Sequence, residues 1–215
     1  MRFIRSWSYS CAKYLSNKLN ESHEKRRIYY FGFQVILGAV FKGILLVIIS
    51  LLLRIFVPAM IVVAVFGSLR MLAGGYHMNT YTKCMFVSLA LFISAALLSR
   101  YTYQYWTQWS LIILAAATFI ISIPVLLKWA PADNPNRPIT KPEEIRKFKF
   151  LSIVYMIIWS LVITTVIWTE PSSYQIYIIA ASLGVLLELF TISPTGQGFF
   201  HKISGSVDHI KLMAD

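Results

Sequence analysis

Charge is scarce in this sequence. Asp, Glu, Lys and Arg make up 13% of its 215 residues, about half the usual share of a soluble domain. Acids are the rarer sign, nine Asp and Glu against twenty Lys and Arg, for a net charge of +11. Cysteine occurs only at Cys11 and Cys84, and nothing around them suggests a disulfide framework. No CxxC or HxxxH pair is present. One Cys and one His do not fill a tetrahedral zinc shell, so neither a metal nor a cofactor is expected. The basic N-terminus lacks an apolar core ahead of a small-residue cleavage site, and no cleavable signal peptide is expected.

What the chain has instead is hydrocarbon. Hydrophobic residues are 57% of it, and they come in long blocks rather than at amphipathic spacing, so lipid is the solvent for most of the protein. Six apolar spans are predicted at 31–53, 56–72, 85–99, 108–127, 150–168 and 174–192. The stretch from Phe150 to Thr169 holds no charge. Tyr101 to Trp109 is rich in aromatic residues and reads as an interfacial belt. Residues 2–20 read as an amphipathic helix on an anionic membrane surface, with Ile4, Trp7, Cys11 and Leu15 at helical spacing, Leu19 following, and Arg2, Arg5, Lys13 and Lys18 elsewhere. Lys25-Arg26-Arg27 suits lipid headgroups at the entry to the first span. The expected fold is an all-α polytopic integral membrane protein of six spans. It is one membrane domain over 1–215: the interfacial helix 2–20, the spans within 31–192 and a cytoplasmic tail 193–215.

In a soluble protein a charge of +11 would suggest nucleic acid. Here the cations sit in particular loops, so membrane orientation explains them and no nucleic-acid partner is expected. With the N-terminus in the cytoplasm, seventeen Lys and Arg fall inside: the N-terminal segment, the break around His77, the loop 128–149 and the C-terminal tail. Only Arg54 and Arg100 fall outside, and Lys42 lies within a span. This orientation puts Cys84 in the reducing cytoplasm.

Two spans look short, because Arg54 and Arg70 bracket fifteen uncharged residues, as do Cys84 and Arg100. A straight span needs about 20. Snorkelling of the flanking arginines or local thinning of the bilayer would help. A further expectation is that the polar break between these spans is drawn partly into the membrane, beside a cytoplasm-facing cavity.

That break, Gly74-Gly75-Tyr76-His77-Met78-Asn79-Thr80-Tyr81-Thr82-Lys83-Cys84, concentrates the chemistry. Cys84 opens the third span, where unpaired N–H groups and the helix dipole suit a thiolate nucleophile, and Lys83 adds a cation. The same N–H groups suit an oxyanion in acyl transfer. On one continuous helix, His77 and Cys84 would be displaced by about 10 Å along the axis. They act together only if the chain bends, and Gly74-Gly75, Asn79 and Thr80 supply turn and cap chemistry. The plainer alternatives are a small buried Cys84 and an interfacial His77 bonded to a headgroup or the backbone. No acid lies nearby in sequence. Gln34, near the start of the first span, and Glu188, in the last, are candidates to orient His77. For Glu188 a structural pair with Lys42 or Arg70 is the stronger expectation. The loop 128–149 carries four prolines and reads as stiff and extended, followed by Glu143 and Glu144 at a helix start. It suits a docking platform for an acidic peptide and equally an ordinary connector.

The pattern Arg70-x4-Gly75-x-His77-x6-Cys84, with the later Ala130-Pro131…Asn136-Arg137-Pro138-Ile139 run, resembles the accessory gene regulator B (AgrB) family. Length, span pattern and the basic N-terminal helix agree, and the resemblance covers essentially the whole chain. It implies a membrane cysteine endopeptidase of quorum sensing. Such a protein cuts an AgrD-like precursor peptide on the C-terminal side of its signal sequence and helps close a thiolactone or lactone ring. The family nucleophile carries over to Cys84 and the base to His77, with Arg70 and Gly75 in supporting positions. A homodimer is the expected assembly, though no sequence feature specifies it. The competing class is a peptide transporter or binding protein in which Lys42 and Glu188 line a pathway. A lipid-modifying enzyme would need a cluster of acids for metal and phosphate, which the sequence does not offer.

Overall fold

The computed structural model describes residues 2–75, 81–132 and 141–212. Within these the chain forms α1 (Arg2–Lys18), α2 (His23–Leu52), α3 (Phe56–Ala73), α4 (Tyr81–Thr102), α5 (Gln108–Trp129), α6 (Pro142–Thr169), α7 (Pro171–Ile192) and α8 (Pro194–Leu212), with a single 3-10 turn at Tyr103–Tyr105 and no strand. Six helices, α2 to α7, are long and apolar enough to cross a membrane. The protein is therefore an all-α, six-span protein, as its apolar blocks predict.

The helix ends depart from those blocks in an instructive way. α2 begins at His23 and α6 at Pro142, eight residues before their apolar runs. Backbone hydrogen bonding continues a helix into water as readily as in lipid, and hydropathy does not register it. Pro at the first helical position starts α6 and α7, where its missing N–H costs nothing. Thr107 caps α5, its hydroxyl accepting from the Ser110 amide at 3.3 Å. α4 spans 22 residues, about 33 Å of rise, so it is not short: Cys84 lies in its first turn and Arg100 in its last. α3, with 18 residues, covers about 27 Å.

The helices form two compact units, residues 1–52 and 53–215. In the first, α1 packs on α2. The buried face of α1 is Ile4, Ser8, Ala12 and Ser16, while Phe3, Trp7 and Tyr14 point outward. Only Ile4 belongs both to this packed face and to the Ile4, Trp7, Cys11, Leu15 stripe that the sequence assigns to the membrane surface. Small residues let two helices approach closely, and the bulky aromatic residues are left for the amphipathic outer face.

In the second unit α7 is the axis, packed against α3, α4, α5, α6 and α8. Ala180, Ala181 and Ser182 are buried along it. A Cβ on Gly184 would lie 2.9 Å from the Val62 carbonyl oxygen and 3.2 Å from Val65 Cβ, so α3 crosses at backbone contact. Tyr155 O–H meets Ser68 Oγ at 2.8 Å and joins α6 to α3. Apolar side chains such as Ile113, Ile120, Leu161 and Val162 stay exposed on the periphery of the unit, as a lipid-facing surface requires.

Polar ties sort the connections to the two ends of this unit. At one end Gln175 Nε2 donates to the Trp106 carbonyl at 3.1 Å and Gln108 Nε2 to the Ile167 carbonyl at 3.3 Å, bringing the α4–α5 and α6–α7 connections together. At the other end the Ala132 amide donates to the Ala73 carbonyl at 2.8 Å. The α3 exit and the α5 exit therefore share one face of the membrane unit.

Candidate functional site

At that shared end α3 stops at Ala73. Gly74 caps it with φ +75°, its amide donating to the Arg70 carbonyl at 2.9 Å. Two reasons make this position glycine. The backbone conformation is one L side chains rarely adopt, and a Cβ would overlap the Ala132 carbonyl oxygen while lying 3.0 Å from its nitrogen. Gly74 and Ala132 form an isolated parallel bridge, and the flanking Ala73 and Ala130 are both buried in the main apolar core. The Gly-Gly break and the Pro-rich loop meet here, through residues 58 positions apart in sequence.

Gly75 (φ +150°) faces the other way. A Cβ there would overlap the Arg70 guanidinium and lie 3.1 Å from Thr191 Oγ1. The peptide at Gly75 thus rests directly on Arg70. That side chain does not snorkel toward water; it turns inward across the end of α3. Arg70 Nη1 donates to Glu188 Oε2 at 3.3 Å and to Thr191 Oγ1 at 3.1 Å, and its guanidinium carbon lies 5.5 Å from the Phe66 ring centroid. Thr191 Oγ1 in turn lies 3.1 Å from Glu188 Oε2 and 3.0 Å from the Glu188 carbonyl, within reach to donate to either. Glu188 is 0% exposed. Its Oε1 has no hydrogen-bond partner among the described residues.

Cys84 is a free, half-buried thiol in the first turn of α4. Side chains on a helix lean toward its N-terminus, so the sulfur is carried toward the partial positive charge there. Ser88 Oγ donates to the Cys84 carbonyl at 2.6 Å, which ties down the start of the helix. Lys83 is half-buried beside it.

The structure brings Arg70 and Gly75 together, a contact the sequence did not specify. It also selects Arg70 as the partner of Glu188. Gln34 is half-buried on α2, in the first unit. His77 and residues 133–140, including Arg137, lie outside the described residues, so the spacing of His77 from Cys84 remains a sequence argument. Thr191 was missed in the sequence. Its signal was its place three residues after Glu188, one helical turn away, where a hydroxyl meets the carboxylate.

Comparison with known proteins identifies the family. The family Accessory gene regulator B matches residues 8–192. A Clostridium perfringens (strain SM101 / Type A) chain named AgrB-like is 23% identical over 202 residues, 90% of this chain and 93% of that one. The accessory gene regulator protein B of Staphylococcus aureus (strain MW2) is 28% identical over 183 residues, 85% of this chain and 90% of that one. No solved structure gives a significant match. The chain belongs to the accessory gene regulator B family, whose membership implies a part in accessory gene regulation and quorum-sensing peptide processing.

Proposed function

We propose that this protein is a membrane-embedded cysteine endopeptidase that cleaves an AgrD-like precursor peptide and closes its signal segment into a ring. The observation that carries the reading is the placement of Cys84 in the first turn of α4, after a connection anchored at Gly74 and Gly75. His77 follows Gly75 by two residues, a reach of about 7 Å at full extension. Five residues join Gly75 to Tyr81, the first residue of α4, and His77 is among them.

The chemistry proceeds by acyl transfer. The Cys84 thiolate attacks the scissile carbonyl, and the amide N–H groups at the start of α4 stabilise the oxyanion. His77 takes the thiol proton and gives it to the leaving amine. The C-terminal part of the precursor departs, leaving the signal segment as a thioester on Cys84. A thiol or hydroxyl within that segment then attacks the thioester carbonyl. The ring closes, and the Cys84 sulfur leaves and is reprotonated. Cyclisation must outrun hydrolysis, and holding the internal nucleophile beside the thioester supplies effective molarities of about 10⁵ M or more in favourable cases.

The excess of Lys and Arg near the Cys84 segment and the loop 128–149 supports a cytoplasmic position for that end, with both termini on the same side of a bacterial membrane. The same cations suit an acidic precursor and anionic lipid headgroups, and a homodimer is the assembly we expect. A transporter reading gains little. Glu188 is buried against Arg70 and presents no open face to a passage.

The test is reconstitution of the full chain with its precursor and identification of products by mass spectrometry. Cys84→Ala abolishes cleavage, Cys11→Ala leaves it largely intact, and His77→Gln binds precursor without turnover. Cleavage by the Cys84→Ala protein ends the proposal.

A further inference from the structure

A carboxylate within a membrane-crossing helix is costly and calls for a reason. Stability alone explains Glu188 poorly. The strongest arginine–carboxylate pairs are two-pronged forks with both oxygens engaged. Here Nη1 alone reaches Oε2, and Oε1 has no partner among the described residues. A buried pair of this kind is a weak stabiliser compared with well-packed apolar side chains. What the arrangement achieves is placement. Arg70 stands in the last turn of α3, where its ordinary course is to extend its charge toward water. Glu188 Oε2 and Thr191 Oγ1, both on the central helix α7, hold it inward instead.

The held guanidinium is a floor. Gly75 rests on it with no room for a Cβ, and Thr191 Oγ1 closes the same space from α7. On the preceding residue, Gly74 is fixed from the opposite quarter by the Ala132 backbone. The chain leaving α3 toward Cys84 therefore departs from a point fixed on two sides, by the Pro-rich loop at Gly74 and by α7 at Gly75.

We propose that Glu188, with Thr191, is a positioning residue for the Cys84 chemistry, acting through Arg70 on the backbone at Gly75. This rests on the endopeptidase reading. α7 carries no nucleophile or base in that reading. It supplies the reference against which the Cys84 segment is placed. Replacing the Glu188 carboxyl weakens the inward hold on Arg70, and Gly75 loses part of its support while the apolar helix packing stays.

The test uses the full chain carrying Cys11→Ser, in vesicles of phosphatidylcholine and phosphatidylglycerol, with N-ethylmaleimide as the probe and glutathione as the reference thiol. Labelling of Cys84 is followed by mass spectrometry at neutral pH and at pH 10. The parent labels faster than glutathione at neutral pH, and His77→Gln removes that advantage. Glu188→Gln, which weakens the acceptor for Arg70, and Thr191→Val, which removes one, each slow neutral labelling by about tenfold. The slowing vanishes at pH 10, above the ordinary range of a free thiol. A merely structural role gives another signature, because loosening the bundle exposes the thiol and speeds labelling at both pH values. If Glu188→Gln does not fold, Thr191→Val decides alone. An activated parent whose Glu188→Gln and Thr191→Val forms label equally fast overturns the positioning role and leaves the endopeptidase reading standing. A parent that labels no faster than glutathione, unchanged by His77→Gln, overturns both.

Discussion

The Ala132 amide donates to the Ala73 carbonyl at 2.8 Å, and through this bond the exit of α5 is fastened to the exit of α3. The two stretches that carry the family resemblance meet at Gly74 and Ala132. Ala132→Pro removes the amide donor. We expect a loss of about 1 kcal/mol, the net worth of an ordinary hydrogen bond, with a larger fall in precursor cleavage than in melting temperature. Ala132→Ser keeps the amide and is the control; equal cleavage by the two variants would refute the coupling.

Gly74→Ala places a Cβ on the Ala132 carbonyl in a conformation unfavourable to L side chains. A strained backbone position of this kind costs about 1–3 kcal/mol. The melting temperature in detergent falls, and cleavage falls with it. A variant as stable and as active as the parent would show that the bridge gives way easily.

Glu188→Ala leaves Arg70 facing a buried space without its carboxylate. Breaking a buried pair from one side costs about 3–5 kcal/mol. Replacing both members, Arg70→Met with Glu188→Met, leaves no unpaired charge, so the double variant melts above Glu188→Ala. It nevertheless fails to process precursor. Restored cleavage in the double variant would separate the pair from function.

Gly184→Val forces α3 and α7 apart, because even a Cβ there lies 2.9 Å from the Val62 carbonyl. Overpacking costs about 1–3 kcal/mol. Tyr155→Phe, which loses the 2.8 Å contact with Ser68 and the 3.4 Å hydrogen bond to the Val65 carbonyl, costs about 1 kcal/mol and leaves cleavage unchanged. The contrast is read from the two melting temperatures, and an equal or larger fall for Tyr155→Phe contradicts it.

If the cations of the Cys84 end gather an acidic precursor, KM rises with salt while kcat holds. Screening shortens from about 8 Å at 0.15 M ionic strength to about 3 Å at 1 M. Cleavage kinetics across that range decide the matter, and a KM indifferent to salt removes the electrostatic contribution.

The sequence by itself determined the six spans. Lipid offers no hydrogen bonds to the backbone, so each crossing must be a helix of sufficient length and apolarity, and both are written in order along the chain. It also singled out His77 and Cys84, since a thiol and an imidazole beside a Gly pair stand out in a sequence so poor in polar chemistry. Where helices ended in water it was less informative: α2 and α6 begin well before their apolar runs, and the buried face of α1 is Ile4 followed by the small residues Ser8, Ala12 and Ser16, which hydropathy undervalues. Tertiary structure alone decided which residue meets Glu188, why Gly74 and Gly75 are both glycine, and that Ala132 holds the α3 exit. Each of these is a contact between segments far apart in the chain, set by how closely α3 approaches α7 and the exit of α5, and no local pattern encodes those distances.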